Sequence, residues 1–202
     1  MAISFEDVKN NESIKCYISE ADKSLIALGY TEHSFAHVGK VAVEAEKILR
    51  TLGYPERVIE LAKIAAYMHD IGNVVNRIDH AQSGAILAFR LLDNMGMEAR
   101  EIAQVISAIG NHDESTAVAV NPIAAALILA DKTDVRRSRV RNRDFGNFDI
   151  HDRVNYAVEE SKIYFNEDNS AIILDLKIDT EISAVMDYFE IGKFENESDY
   201  LV

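Results

Sequence analysis

The chain has 202 residues, with 34 acidic and 21 basic side chains, a formal charge of -13, one cysteine, two prolines and no tryptophan. A length of this order fits one compact unit with an appendage better than two full domains, and 48% apolar with 27% charged residues excludes a disordered chain. The lone Cys16 excludes an internal disulfide, the longest nearly unbroken apolar run (Pro122 to Ala130) is far short of the roughly 20 residues of a membrane span, and the acidic balance excludes a broad surface for duplex nucleic acid.

The start, Met1 to Glu6, lacks the basic and apolar regions of a signal peptide, so a cytoplasmic protein with no membrane partner is expected. Apolar residues Ile14, Tyr17, Ile18, Ala21, Leu25 and Leu28 then form the stripe of an amphipathic helix that stops near Gly29. A second stripe runs from His37 and Val38 through Ala45 to Leu52 and stops at Gly53, which puts His37 on the buried face at the helix start. Pro55 suits the first turn of a third helix, which runs into Met68-His69-Asp70-Ile71-Gly72. Asp79 is expected to cap a fourth helix, His80 to Asn94, with Ala81 or Gly84, Leu87, Ala88 and Leu91 inward.

A fifth helix from about Glu98 breaks at Gly110-Asn111, leaving His112 and Asp113 just beyond its end. Asn121-Pro122 opens a sixth through Ala126, Leu127 and Ala130 to Asp131 and Asp134, which share a face. Lys132 to Arg143 then holds six basic residues against Asp134 alone. A seventh helix is expected over Asp149 to Ser161. Lys162 to Phe165 and Ala171 to Ile178 flank a turn-rich gap and read as a β-hairpin. Thr180 can cap a last short helix through Ile182, Val185, Met186 and Phe189, and the acidic end, Glu195 to Val202, is expected to fray. From Glu159 onward there are twelve acidic and three basic residues, a net of -9, so the preceding body is close to neutral.

Five of the six histidines (His33, His37, His69, His80 and His112) fall at helix boundaries, together with Asp70 and Asp131. Each alone has a plain structural reading: a hydrogen-bonded core histidine, a surface residue at a helix start, an aspartate paired with nearby arginines. Metal ligation, by contrast, needs several such groups brought together. The ordered set His37, His69-Asp70 and Asp131 resembles the HD-domain superfamily of metal-dependent phosphohydrolases. In that likeness the first histidine opens a helix such as His37-Val38-Gly39-Lys40-Val41-Ala42, and the last aspartate lies in a stretch such as Ile128-Leu129-Ala130-Asp131-Lys132. It covers roughly residues 30 to 140, and its order and spacing carry it more than any one motif.

The resemblance implies a mostly α bundle, expected over 1–160, and a divalent metal held by His37, His69, Asp70 and Asp131; the residue pattern adds a β-hairpin and short helix over 161–202 packed on it. His80 and His112 extend the likeness to a two-metal branch, in which Asp70 would bridge the ions and these two histidines would hold the second. One or two ions of manganese, iron, magnesium or zinc are compatible with such ligands. Two metals would clamp an in-line displacement at phosphorus and activate a bridging water. That branch includes cyclic-dinucleotide phosphodiesterases and symmetrical dinucleoside tetraphosphatases. Asn73 stands where many relatives carry a lysine, so Lys132 or a following arginine is expected to supply the missing cation. The stretch Asp131 to Arg137 is unlike the cyclic-dinucleotide enzymes, which are not the first expectation.

The reading is therefore a phosphohydrolase for a small nucleotide-like phosphate ester. Asp70 and Lys132 are its catalytic residues, and Lys132, Arg136 and Arg137 bind substrate. A di-iron oxygenase on the same scaffold and a ligand-sensing module with a structural metal are the alternatives. Several residues keep two readings. The arginines can grip phosphate or neutralise the acidic tail, Asp134 can orient a ligand or pair with Arg136 or Arg137, and His33 can touch substrate or cap a helix. Asn111 and Asp113 can orient the His112 ring; Cys16 is expected to pack, and His151 has no assigned role. A hairpin with one apolar face can cover the bundle or pair across a homodimer.

Overall fold

Side-chain caps set most of the helix boundaries. The structure, a computed structural model, describes residues 2–113 and 116–192, the last two by backbone alone. The helices are α1 (Phe5–Asn10), α2 (Glu12–Leu28), α3 (Phe35–Thr51), α4 (Glu56–Met68), α5 (His80–Asn94), α6 (Ala99–Gly110), α7 (Pro122–Thr133), α8 (Ile150–Ala157) and α9 (Val185–Gly192). Asn11 accepts from the backbone of Ser13 and Ile14, Ser34 from Ala36, Glu98 from Arg100 and Glu101, and Asn121 from Ala124, each satisfying amides that a helix start leaves unpaired. Helix α1 has no sequence-level expectation because six residues are too few for periodicity, yet Ser4 and Asp7 close a capping box there and Phe5 and Val8 are buried.

Helix α3 packs along α4 and α7, α4 also meets α6 and α7, and α5 lies against α6. Helix α7 is enclosed along most of its length: Ile123, Ala124, Ala126, Leu127, Ile128 and Ala130 are all buried, so it runs through the core and carries Asp131 to the histidine cluster. Within the α2 stripe only Ile14, Ile18, Ala21 and Leu25 are buried; Tyr17 and Leu28 are exposed, because a 3.6-residue period keeps one narrow face inside. In α5 the fully buried leucine is Leu92, with Leu87 and Leu91 only half-buried. Cys16 is exposed, contrary to its expected packing role.

Asp79 does not cap α5. Its backbone is left-handed, with φ 56° and ψ 29°, and its side chain makes no capping bond. A left-handed residue bends the chain sharply, and Asp is among the few L-residues that adopt it at modest cost. The 3₁₀ turn Ile71–Val74 lies directly against the start of α5. A Cβ on Gly72 would stand 2.5 Å from the Gly84 amide nitrogen, 2.7 Å from Ser83 Oγ, and inside the His80 carbonyl oxygen. Glycine is what lets the two backbones touch and sets His80 beside Asp70.

Helix α8 ends at Ala157, and strand β1 (Val158–Phe165) begins within the stretch expected to be helical. Val158 pairs with Ile178 at the far end of β2 (Ile172–Ile178), and the Asp179 amide donates to the Ala157 carbonyl, so cross-strand bonds replace a further helical turn. Ile163 reaches the main core. Val135, Val154, Val158 and Tyr188 form a second, smaller one beneath the hairpin. The expected division at residue 160 thus falls inside β1. Helix α9 starts at Val185, five residues after Thr180, and the acidic end from Glu195 lies outside the described residues. Among the described residues no helix is long and apolar enough to cross a membrane.

Gly72→Ala is expected to destabilise the fold by about 1–3 kcal/mol or more through forced backbone separation. For a domain of this size that lowers the thermal midpoint by several degrees. A melting curve that superimposes on the parent's would contradict the close approach.

Candidate metal centre

Four imidazoles and two carboxylates converge where α3, α4, α5, α6 and α7 meet. His37 comes from the first turn of α3, His69 and Asp70 from the end of α4, His80 from the start of α5, His112 from beyond α6, and Asp131 from the last turn of α7. His37, His69, Asp70, His80 and His112 are all buried. His37 Nε2 lies 3.4 Å from His69 Nε2, 3.5 Å from Asp70 Oδ2 and 3.2 Å from Asp131 Oδ1. His69 Nε2 is 3.1 Å from Asp70 Oδ2 and 3.7 Å from Asp131 Oδ1. On the other side of the same carboxylate, His80 Nε2 is 3.5 Å from Asp70 Oδ1, and the His112 ring packs edge-on against His69 and His80.

The donor atoms form two sets that share Asp70: His37, His69 and Asp70 in one, and Asp70, His80 and His112 in the other, each within 4.8 Å. Asp131 adjoins the first. The six residues expected as ligands are therefore together.

The outward-facing nitrogen of every ring is already engaged. Nδ1 of His69, His80 and His112 meets the carbonyl of Ala66, Arg77 and Ile109 at 2.7, 3.1 and 2.6 Å, and Nδ1 of His37 meets Asp134 Oδ2 at 2.8 Å. These acceptors require the proton on Nδ1, so in a neutral ring Nε2 presents a lone pair to its neighbours. Lone pairs facing carboxylate oxygens repel unless a cation lies between them. Asp70 Oδ2, buried and without a hydrogen-bond partner, marks the same need. Ligands about 2.1 Å from a divalent ion stand roughly 3 to 3.5 Å apart around it, which is the spacing observed. Mixed nitrogen and oxygen donors suit a transition metal.

Protons fill that role when no metal does. Burial disfavours the charged form of His37 and His69, but the Asp131, Asp134 and Asp70 carboxylates around His37, and the charge of Asp70 beside His69, outweigh it and raise them to about 9 and about 10. Burial likewise opposes the Asp70 and Asp131 carboxylates, yet their histidine neighbours hold both well below the usual range. In the second set burial wins. His80 is lowered, and His112 falls to about 4, helped by the charges of His69 and His80.

Asp134 takes both a positioning and an ion-pairing role. Fully buried, it accepts from His37, from Lys40 Nζ at 2.9 Å and from Arg136 Nε at 2.9 Å, with Arg139 Nε at 3.9 Å. Carboxylate support of this kind fixes the ring and raises its basicity as a ligand. Asn111 does not support His112; its amide donates to the Ser107 carbonyl.

A cavity of about 120 Å³ adjoins the cluster at Asp131 and is lined also by His33, Arg77, Lys132, Arg139 and, from the C-terminal part, Tyr188. Lys132 thus lines it as expected. Arg136 and Arg137 do not. Arg136 is held by Glu32 and Asp134, Arg137 stacks over Tyr156 and donates to its carbonyl, and both border a separate hollow with Val158 and Glu159. The substrate-binding expectation for these two gains no support from the cavity lining, and their guanidiniums have partners elsewhere.

Arg77 is the residue that sequence reasoning missed. Its Nη1 lies 3.4 Å from His80 Nε2 and 4.0 Å from Asp70 Oδ1, and its guanidinium sits 5.7 Å over the Tyr30 ring. Asn73 meanwhile donates to the Asp70 carbonyl and Oδ1, both at 2.9 Å. The cation absent at position 73 is present four residues later, in the loop between the 3₁₀ turn and α5, a signal that a search confined to the motif passes over.

Residues 34–137 match the family model of the HD domain. Among curated proteins, the uncharacterized protein MJ1020 of Methanocaldococcus jannaschii is 25% identical over 159 residues, which is 68% of this chain and 61% of that protein, so the chain spans less than two thirds of its relative. A crystal structure of a predicted HD superfamily hydrolase from an uncultured Thermotogales bacterium is 28% identical, with a TM-score of 0.49, over 61% of this chain and 67% of that one.

Because His37 and His69 carry protons that a metal must displace, metal binding is expected to release protons, with affinity rising until about pH 9 to 10 and then levelling. Calorimetry in buffers of different ionisation enthalpy measures this; binding with no proton release would contradict the assignment. Asp134→Asn, which keeps the size but removes the charge behind His37, should weaken the metal by about 10- to 100-fold.

Proposed function

The chain belongs to the HD-domain family, and from that premise we propose that it is a metal-dependent phosphohydrolase acting on a small phosphate ester. One observation carries the reading: a cluster of four imidazoles and two carboxylates, all buried but the half-buried Asp131, meets at Asp131 a cavity that Arg77 and Lys132 also line. His37, His69, Asp70 and Asp131 would hold one divalent ion, and Asp70, His80 and His112 a second. When bound, these ions supply Lewis-acid activation of water and of the phosphoryl oxygen.

The chain's own side chains do the rest. Arg77 and Lys132 bring positive charge to the non-bridging oxygens of the phosphoryl group, where charge grows during displacement. Arg77 offers a two-pronged donor that matches phosphate geometry, and its stacking over Tyr30 limits its orientations. Asp70 keeps the two ligand sets at a fixed separation, and the Asn73 amide holds the Asp70 carboxylate in turn. Asp134 holds His37 from behind. Burial of the cluster keeps bulk water from screening these charges.

The protein purified without chelator is expected to carry up to two equivalents of manganese, iron, magnesium or zinc by elemental analysis. His112→Ala should lose one equivalent and Asp70→Ala most of both. Loaded protein should release phosphate from phosphomonoesters or phosphodiesters, and Arg77→Ala should lower kcat/KM roughly 10²-fold while leaving metal content intact. Consumption of oxygen with no phosphate released from any ester would assign an oxygenase instead.

A further inference from the structure

Two imidazoles line the cavity, His33 and His151, and neither belongs to a ligand set; His33 is the one packed against the cluster, at His37. His33 precedes α3, its backbone amide donates to Asp22, and its Nδ1 lies 2.7 Å from the Thr31 carbonyl oxygen. That carbonyl requires the ring proton on Nδ1. Among the described residues Nε2 has no hydrogen-bond partner, and the residue lines the cavity. The ring is held from several directions. It packs edge-on against His37 with centroids 5.4 Å apart, and its loop is tied to the segment after α7 by the Glu32 amide to the Arg139 carbonyl at 2.8 Å, Arg139 Nε to the Glu32 carbonyl at 2.9 Å, and Arg136 to the Glu32 carboxylate.

A fixed, neutral imidazole with its proton on Nδ1 accepts at the other nitrogen. It would repel a phosphoryl oxygen and welcome a hydroxyl. The opposite wall adds Asp149, whose carboxylate is also an acceptor, and His151. The rings lining the cavity are not free to sandwich a base: Tyr30 already lies under Arg77, and the Tyr188 hydroxyl donates to the Lys132 carbonyl. At about 120 Å³ the space is also below the roughly 300 Å³ at the small end of common ligand pockets.

Resting on the phosphohydrolase reading, we propose that His33 is a specificity-determining residue that accepts a hydrogen bond from a hydroxyl of the leaving alcohol, so that the preferred substrate is the phosphomonoester of a hydroxyl-rich alcohol, a sugar or polyol phosphate. The site then has a division of labour: Arg77 and Lys132 face the phosphoryl group, and His33 reads what is attached to it.

The test compares glycerol 3-phosphate with n-propyl phosphate, which differ only in hydroxyls, by calorimetric binding to the manganese-loaded full chain. Glycerol 3-phosphate should bind about tenfold tighter, the worth of one or two hydrogen bonds to an otherwise unpaired group. In His33→Phe the ratio should fall to near one, and His33→Gln, whose amide oxygen can accept, should recover part of it. Equal binding of the two esters by the parent, an undiminished ratio in a folded His33→Phe, or binding of neither overturns the assignment. Phosphate release from p-nitrophenyl phosphate, measured alongside, tests the reaction itself: its absence overturns the hydrolase reading and leaves the binding ratio to decide on His33.

Discussion

A carboxylate that lies among imidazoles and out of reach of water needs positive charge, and the core of this protein is arranged around meeting that need at Asp70. One oxygen faces His37 and His69, the other faces His80, Asn73 and Arg77. Leaving such a group unpaired would cost several kcal/mol, a sizeable share of the stability of any domain. The helices that surround it are therefore not free to drift. The contact between Gly72 and the start of α5 brings His80 in, and the apolar length of α7 carries Asp131 to the same point.

The buried charge at Asp134 explains the basic stretch that follows α7. Within an acidic protein these arginines look like a landing site for anions, but Arg136 and Arg139 converge on Asp134 and Glu32, and Arg141 on Asp22. Their work is internal: they clamp the loop before α3 to the segment after α7. Arg77 and Lys132 line the cavity as well, outside that clamp.

The fold and the ligand set were largely legible in the sequence, for a physical reason. Apolar periodicity reports which face of a helix is buried, and histidines and aspartates at helix boundaries stand out against it. That placement, with the resemblance it carries, pointed to His37, His69, Asp70, His80, His112 and Asp131, and they are brought together. What escaped depends on distance. The pairing of His37 with Asp134 spans 97 residues, and nothing local announces it. Arg77 looks like an ordinary loop arginine until the 3₁₀ turn swings it over Asp70. The early end of α8 is set by the pairing of Val158 with Ile178 across the hairpin, and the left-handed backbone at Asp79 mimics a cap in sequence without making one.

The four buried rings also differ in what fixes their tautomer. His69, His80 and His112 each hand the Nδ1 proton to the carbonyl three residues earlier, a bond available as soon as that single turn of chain is formed. His37 hands its proton to a side chain that arrives only when the segment after α7 docks. Three donors are thus prepared locally and the fourth by long-range closure. The order of assembly follows from that difference: the half of the centre built on His80 and His112 can take shape from neighbouring elements, and the half containing His37 is completed only when residues distant in the chain have met.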